Sequence, residues 1–284
     1  MTHSTFIDVE TLFRHLDDLS WAIVDCRFDL TDDSIAENAY LEAHIPGAIY
    51  AHLERDLSTT PDGTNGRHPL PSIEEMTNLF GHWGIDESVQ VIAYDARGGG
   101  FAARLWWSLR YLGHDAVAVL EGGLPAWERV GYPLRSGFES RSPKKFRPEV
   151  RAEMRIAAKD LLVNLGSKEL RLIDSRAPER YRGEEEPYDP IAGHIPGALN
   201  HFWGANLDEE GNLLPQARLR AEFETLISGN DPNSVVFYCG SGVTACLNVL
   251  VTTHLGFEGA RLYPGSWSAW CADPALPVTN GSEP

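Results

Sequence analysis

The sequence predicts an α/β protein made of two copies of one domain, each a mostly parallel sheet covered by helices. Short apolar runs alternate with helical patterns along the chain, which is typical of βαβ units. Three segments also recur in the same order. The matching segments are residues 21–27 and 170–176, 43–48 and 193–198, and 91–95 and 235–239. Their offsets are 149, 150 and 144 residues, so the chain contains a duplicated domain.

The strands and helices of the two copies are expected at corresponding places. In the first copy we predict strands at residues 22–25, 89–94 and 117–120 and a helix at 101–112. In the second copy we predict strands at 172–174, 235–238 and 260–262 and a helix at 244–255. The segment that follows Arg135 is rich in Ser, Pro, Arg and Lys without apolar periodicity, which is typical of a linker. We therefore predict domains at 1–135 and 156–284, joined by a linker at 136–155.

Composition and charge argue against several classes of function. The chain has 284 residues, with 41 acidic and 24 basic side chains and a formal net charge of −17. A negative field repels phosphate backbones and anionic lipid, so we expect neither nucleic acid nor membrane as a partner. We expect no secretory signal, and no apolar run approaches the roughly 18 residues of a membrane helix. Four widely spaced cysteines indicate free thiols and a cytoplasmic location.

The two copies differ at the turn that follows a repeated strand, where Cys239 of the second copy matches Asp95 of the first. In parallel sheets, ligands collect at such strand-to-helix turns. Gly240 and Gly242 let the loop bend tightly so that backbone N–H groups converge, and the following helix N-terminus favours negative charge. This setting favours the reactive thiolate. We therefore predict that Cys239 is a nucleophile; the alternative is a small buried core residue.

The segment 239–245 resembles the active loop of two-domain rhodanese-type sulfurtransferases, the mercaptopyruvate and thiosulfate sulfurtransferase family. The supporting motifs are His-Ile-Pro-Gly-Ala in both copies and the segments 174–176, 180–183, 122–127 and 264–267. The resemblance covers nearly the whole chain and implies tandem rhodanese-like domains, an inactive first copy and a catalytic second one. It also implies that the Cys239 thiolate takes up a sulfane sulfur as a persulfide and passes it to a thiol, cyanide or thioredoxin-like acceptor. No metal or organic cofactor is implied.

The resemblance further implies how substrate and sulfur are bound. Gly240, Gly242, Val243 and Thr244 would surround the sulfur with backbone N–H groups. Arg180 would bind the substrate carboxylate, since a guanidinium is always charged and binds carboxylates bidentately. The alternative for Arg180 is a salt bridge to the acidic residues at 184–186.

A proton relay of Ser241, His68 and Glu54 is also implied, because the persulfide step must manage the proton of the donor thiol near neutral pH. The alternative is that His68 is only a loop histidine before a proline and Glu54 a solvated surface charge.

The preferred sulfur donor is predicted from the residues after the cysteine. Thiosulfate-preferring relatives typically carry Arg and Lys there, whereas this chain has Gly240 and Ser241 and no later lysine. This favours a monoanionic keto acid such as 3-mercaptopyruvate. One departure is that Tyr188 stands where mercaptopyruvate enzymes usually carry a second arginine, for which Arg182 or Arg97 could compensate. Thiosulfate as the main donor and a non-catalytic sulfur carrier remain alternatives.

A cysteine phosphatase is excluded by spacing, because it needs Arg after five intervening residues and that position is Ala245. Residues kept in both copies are expected to hold the fold rather than to act in catalysis. They are His44 and His194 and the pairs Asp25–Arg27 and Asp174–Arg176. We expect Cys246 to pack in the core. For Cys271, which follows Trp270, exposure and a redox role are an alternative.

Overall fold

The computed structural model describes residues 2–167 and 170–284 and divides the chain into two compact units. The first unit runs to Thr59, continues over Pro71–Arg151 and includes Leu207–Leu213. The second comprises Thr60–Leu70, Ala152–Asn206 and the chain from Leu214 onward. The units therefore differ from the predicted boundaries, because each contains one short segment that lies in the sequence of the other copy.

The first unit is a five-stranded parallel sheet with strand order β1-β5-β4-β2-β3. Its strands are β1 (Phe6–Ile7), β2 (Trp21–Asp25), β3 (Ile49–Tyr50), β4 (Gln90–Tyr94) and β5 (Val117–Leu120). Its helices are α1 (Val9–Arg14), α2 (Asp33–Glu42), α3 (Ile73–His82), α4 (Ala102–Tyr111) and α5 (Gly123–Val130). The predicted strands and the predicted helix of this copy are confirmed to within one residue.

The second unit is a four-stranded parallel sheet with strand order β7-β6-β8-β9. Its strands are β6 (Arg171–Asp174), β7 (Leu199–Asn200), β8 (Val235–Tyr238) and β9 (Arg261–Leu262). Its helices are α6 (Ala158–Asn164), α7 (Pro178–Arg182), α8 (Gln216–Ile227), α9 (Ala245–His254) and α10 (Ser266–Trp270). The order β7-β6-β8-β9 repeats β3-β2-β4-β5 of the first unit, so β4 and β8 hold equivalent central positions.

The central strands form because their residues suit a sheet that is covered on both faces. All four residues of β8 are buried, and so are all five of β4. Continuous runs of β-branched and aromatic residues are typical of such parallel strands. Both strands end at a tyrosine, Tyr94 or Tyr238, after which the chain turns into a helix. The residue after that tyrosine therefore lies at the carboxyl edge of the sheet.

Residues 136–151, the first part of the predicted linker, belong to the first unit and form neither helix nor strand. Their backbone N–H groups donate to helix-end carbonyls, from Lys144 to Gly81 and from Glu149 to Leu112, both at 2.8 Å. Phe146 is buried, with its ring 5.5 Å from that of Phe80. Irregular backbone can follow a protein surface in this way when its polar groups find partners.

The residues kept in both copies form the same structural motif twice. In the second unit, Arg176 binds the Asp174 carboxylate through Nε at 3.0 Å and donates through Nη2 to the carbonyl of Gly193 at 2.6 Å. His194 follows, buried, with Nδ1 2.7 Å from the carbonyl oxygen of Tyr181. The first unit repeats these contacts with Asp25, Arg27, Ala43 and His44. These residues therefore hold the fold, as expected.

Two cysteines complete the core of the second unit. Cys246 is fully buried in α9, as predicted. The alternative that Cys271 is exposed is wrong, because Cys271 directly follows α10 and packs with Trp267 and Trp270 in the core cluster. Burial raises the pKa of Cys271 to about 11.

None of the helices in the described part of the chain is long and apolar enough to cross a membrane.

Candidate active site

Cys239 is the first residue after β8, and its side chain is 3% exposed. Residues 239–244, between β8 and α9, form what we call the active loop. The loop turns sharply at Gly242, whose φ is +76°. A side chain there would also collide with the carbonyl oxygen of Pro264. Only glycine meets both requirements without strain, so the spacing after Cys239 is fixed by backbone geometry.

A second turn, residues 263–268, holds the backbone of the active loop. The N–H of Cys239 donates to Ser266 Oγ at 3.1 Å, and the carbonyl of Cys239 accepts from the N–H of Trp267 at 2.9 Å. The carbonyl of Gly240 accepts from the N–H of Ser268, also at 2.9 Å. Both backbone polar groups of Cys239, the N–H and the carbonyl, are therefore bound, and this fixes the direction of its side chain.

Ser266 adopts a backbone conformation that is unusual for a residue with a side chain, with φ +53°. Its counterpart in the first unit is Gly123, with φ +56°. A side chain in this left-handed region costs roughly 1–2 kcal/mol, so the serine is retained at some cost. Its hydroxyl donates to the carbonyl of Tyr263 at 2.9 Å while it accepts from Cys239. Sequence reasoning missed Ser266. The available signal was that the second copy has a serine where the first copy has Gly123.

The turn that follows β4 in the first unit binds the carboxylate of its own residue Asp95. This carboxylate is fully buried and accepts four backbone N–H groups. These come from Arg97 at 2.7 Å, Gly99 at 2.9 Å, Phe101 at 2.7 Å and Ala102 at 2.9 Å. Converging amides of this kind bind anions. The first copy therefore fills its own anion site with a side chain.

The active loop occupies the same place after the central strand as the Asp95 turn and shares its first left-handed glycine, although Val243 lacks the positive φ of its counterpart Gly99. Gly98 and Gly242 hold matching positions with φ of +67° and +76°. By this register, the amides that correspond to three of the donors to Asp95 are those of Ser241, Val243 and Ala245. Cys239 thus stands where the first unit places a carboxylate bound by amides. Such a setting stabilises a thiolate or a terminal persulfide sulfur.

His68 and Ser241 lie in direct contact, with Nδ1 2.7 Å from Oγ. Both side chains are buried. The contact forms because the segment Thr60–Leu70 belongs to the second unit and is bound to the 263–268 turn, where the N–H of Arg67 donates to Ser268 Oγ at 3.1 Å. Two members of the predicted relay are therefore together.

Glu54, the third member of the predicted relay, belongs to the first unit. It is exposed, and its N–H donates to His52 Nδ1 at 3.2 Å. The role of Glu54 stays a prediction.

Arg180 lies on α7 and makes the salt bridge that the alternative interpretation named. Its Nη2 is 2.7 Å and its Nε 3.2 Å from the carboxylate oxygens of Glu186. The guanidinium also reaches the active loop. A methyl group placed on Gly240 would lie 3.2 Å from Nη1 and 3.3 Å from Nη2. Salt bridge and proximity to the loop therefore occur together.

Arg67 is a second arginine at the same point, and sequence reasoning missed it. A methyl group on Gly240 would lie 2.9 Å from its Nη2. Its Nη1 forms an ion pair with Asp189. Burial raises the pKa of the Asp189 carboxyl, and the charge of Arg67 opposes that rise. The available signal was the position of Arg67 directly before His68.

Tyr188 stands where a second arginine was expected, and its ring lies against both guanidinium groups. The ring centroid is 5.2 Å from the Arg67 guanidinium carbon and 5.0 Å from that of Arg180. Of the two residues proposed to compensate, Arg182 is paired with Glu184. Arg97 is exposed in the first unit.

Within residues 2–167 and 170–284, no group of three or more His, Cys, Asp or Glu side chains is placed to hold a metal ion.

Comparisons with known proteins agree with this geometry. The model of the rhodanese-like domain matches residues 8–130 and again 157–273. A probable 3-mercaptopyruvate sulfurtransferase of Pseudomonas aeruginosa is 44% identical over 99% of this chain and 100% of its own length. A putative thiosulfate sulfurtransferase of Mycobacterium tuberculosis is 39% identical over 92% of this chain and 91% of its own. The solved 3-mercaptopyruvate sulfurtransferase of Leishmania major superposes with a TM-score of 0.82 at 30% identity, over 93% of this chain and 73% of that one.

The Asp95 turn generates a prediction on stability. Replacing Asp95 with Ala leaves four buried N–H groups without their charged acceptor, so we expect the free energy of unfolding to fall by about 3 kcal/mol or more. Asp18→Ala is the control, because Asp18 is exposed and also accepts a backbone N–H, from Ser20; its effect should stay within about 1 kcal/mol. Urea unfolding measures both. Equal midpoints for the two variants would contradict the anion site.

Proposed function

The chain belongs to the rhodanese-like family, and from that membership we propose that it is a sulfurtransferase that uses 3-mercaptopyruvate. It moves the sulfur to a thiol or cyanide acceptor through a persulfide on Cys239. The observation that carries this proposal is the position of Cys239 in the second unit. The corresponding position of the first unit is Asp95, whose buried carboxylate accepts four backbone N–H groups. A sulfur anion placed in equivalent surroundings is stabilised both as the attacking thiolate and as the persulfide.

The first half-reaction balances without a cofactor. The Cys239 thiolate attacks the sulfur of mercaptopyruvate and forms an S–S bond, while the C–S bond breaks and its electron pair goes to carbon. The proton of the donor thiol ends on that carbon, which gives pyruvate and a Cys239 persulfide. An acceptor thiolate or cyanide then attacks the outer sulfur and releases the Cys239 thiolate.

Ser241 and His68 supply a path for the proton of this step. A hydroxyl 2.7 Å from an imidazole nitrogen can pass a proton in either direction, and general acid–base catalysis of this kind contributes roughly 10²–10⁴-fold in rate. Glu54 would complete the relay by holding the charge of the imidazolium.

The charges around the active loop favour a monoanionic donor. Arg180 and Arg67 are already paired with Glu186 and Asp189, so the site offers directed N–H donors rather than a large positive charge. A keto-acid carboxylate needs only such donors, whereas the thiosulfate dianion also needs charge compensation. Thiosulfate is the second candidate donor, because the relative from Mycobacterium tuberculosis is named a putative thiosulfate sulfurtransferase.

The acceptor and the location are proposed on the thiol chemistry. We propose a small thiol, cyanide or a thioredoxin-like protein as acceptor, since each attacks a persulfide sulfur. All four cysteines are free and buried, which fits a reducing cytoplasm.

Replacing Cys239 with Ser should abolish sulfur transfer from both donors and leave the fold intact, because a hydroxyl of similar size cannot form the persulfide. Pyruvate release from mercaptopyruvate, followed in steady state with a thiol acceptor, measures the loss. Cys271→Ser is the matched control and should keep its activity if it folds. Many turnovers by the native chain distinguish an enzyme from a sulfur carrier, which gives at most one. Full activity of Cys239→Ser would refute the mechanism.

The second prediction is that kcat/KM is higher for mercaptopyruvate than for thiosulfate. The reason is the lack of a basic residue within the active loop itself. Initial rates at matched acceptor concentration measure the two values, and the opposite ranking would assign the chain to the thiosulfate branch.

The relay predicts non-additive variants. Ser241→Ala and His68→Gln should each lower kcat by about 100-fold. The double variant should be no less active than the less active of the two single variants, because the two groups act as one unit. Single-turnover formation of the persulfide measures the step directly. Losses that multiply in the double variant would show that the two side chains act independently.

A further inference from the structure

Arg67 and Arg180 approach the active loop at one point, each with part of its guanidinium already bound. The carboxylate of Glu186 accepts hydrogen bonds from Nε and Nη2 of Arg180, and the carboxylate of Asp189 forms an ion pair with Nη1 of Arg67. The nitrogens nearest to the Cβ position of Gly240 are Nη2 of Arg67 and Nη1 of Arg180. In the described part of the chain, neither of these two nitrogens has a hydrogen-bond partner. Two guanidinium edges with available donors therefore face the residue next to Cys239.

The surroundings hold both guanidinium groups in place. The carboxylates of Glu186 and Asp189 are each 3% exposed, so they are themselves fixed. Tyr188 lies against both guanidinium groups at 5.2 and 5.0 Å, and its own N–H donates to Glu186 at 3.1 Å. A guanidinium over an aromatic ring is attracted by the face of that ring. One residue, Tyr188, therefore orients two arginines at once.

We propose that Arg67 is the second substrate-binding arginine of this enzyme, and that it specifies a donor with a carboxylate. The proposal rests on the proposed function, because the ligand is the keto-acid carboxylate of that donor. One carboxylate oxygen accepts from Nη2 of Arg67 and the other from Nη1 of Arg180. Tyr188 does not itself bind the carboxylate. It positions both arginines through its ring.

The competing interpretation is that Arg67 only neutralises the buried Asp189. The two interpretations differ in what the loss of Arg67 changes. A structural partner affects stability and all donors alike, whereas a carboxylate-binding residue affects only ligands that carry a carboxylate.

The kinetic test compares Arg67→Gln with Arg218→Gln, which removes the same charge from an exposed ion pair in the same unit. Mercaptopyruvate and mercaptoacetone, which lacks the carboxylate, serve as the two donors. For Arg67→Gln we expect KM for mercaptopyruvate to rise about tenfold or more, with kcat within about threefold and no change for mercaptoacetone. Arg218→Gln should match the native chain. An unchanged KM, or an equal rise for both donors, would overturn the proposal.

A chemical test does not depend on sulfur transfer. Iodoacetate carries a carboxylate and iodoacetamide does not, so the ratio of their alkylation rates at Cys239 reports carboxylate binding. Mass spectrometry assigns the modified residue, and at pH 8 Cys271 stays a thiol because burial raises its pKa to about 11. We expect the ratio to fall about tenfold in Arg67→Gln and not in Arg218→Gln; equal ratios would overturn the proposal. A native chain that does not use mercaptopyruvate would refute the proposed function, while this ratio would still test Arg67.

A further variant keeps the test valid if Arg67→Gln does not fold because Asp189 is left buried without its partner. Arg67→Gln combined with Asp189→Asn removes both charges, so no uncompensated charge stays buried. The double variant should show the same rise in KM and the same fall in the alkylation ratio. Native values in a folded double variant would overturn the proposal.

Discussion

Backbone N–H groups that converge after the central strand impose the same requirement on both units, because buried amides must find an acceptor. In the first unit Asp95 meets this requirement with its own carboxylate, and the turn is chemically complete. In the second unit the corresponding side chain is Cys239, which is shorter and can carry a negative charge on sulfur. The turn that binds a carboxylate in one copy is therefore the place where, in the proposed function, the other copy would stabilise an anionic sulfur.

The active loop can serve this purpose because its backbone has little freedom. Gly242 approaches the carbonyl of Pro264 closely, and Ser266 stays in a left-handed conformation while its hydroxyl binds the N–H of Cys239. Strain of this kind persists only where surrounding contacts enforce it. Amides fixed in advance do not have to reorganise when charge develops on the sulfur, which is the condition for effective electrostatic stabilisation.

The sequence predicted the central strands and the turn that begins at Cys239 well, because both depend on local signals: a largely apolar run and a glycine-rich turn after it. The edge strands β1, β3 and β7 were not predicted, because each has only two residues; β9 is equally short but corresponds to the longer strand β5 of the first copy. Ser241 and His68 could be paired only through the family resemblance. Arg67 was missed because its position depends on Thr60–Leu70 lying in the second unit, and hydrophobic periodicity carries no information on such a segment.

The net charge of −17 would by itself oppose an anionic substrate, but recognition depends on the charges and donors next to the active loop. Glu186 and Asp189 cancel the charges of Arg180 and Arg67, yet they leave N–H edges directed at the active loop. Because the two carboxylates are buried and fixed, they also keep the guanidinium groups from pairing elsewhere. In the proposed site a carboxylate would be recognised by the direction of the donors it meets, and a second negative charge would find both arginines already paired. Pairing each arginine in advance is thus the physical basis of the proposed selectivity for a monoanion.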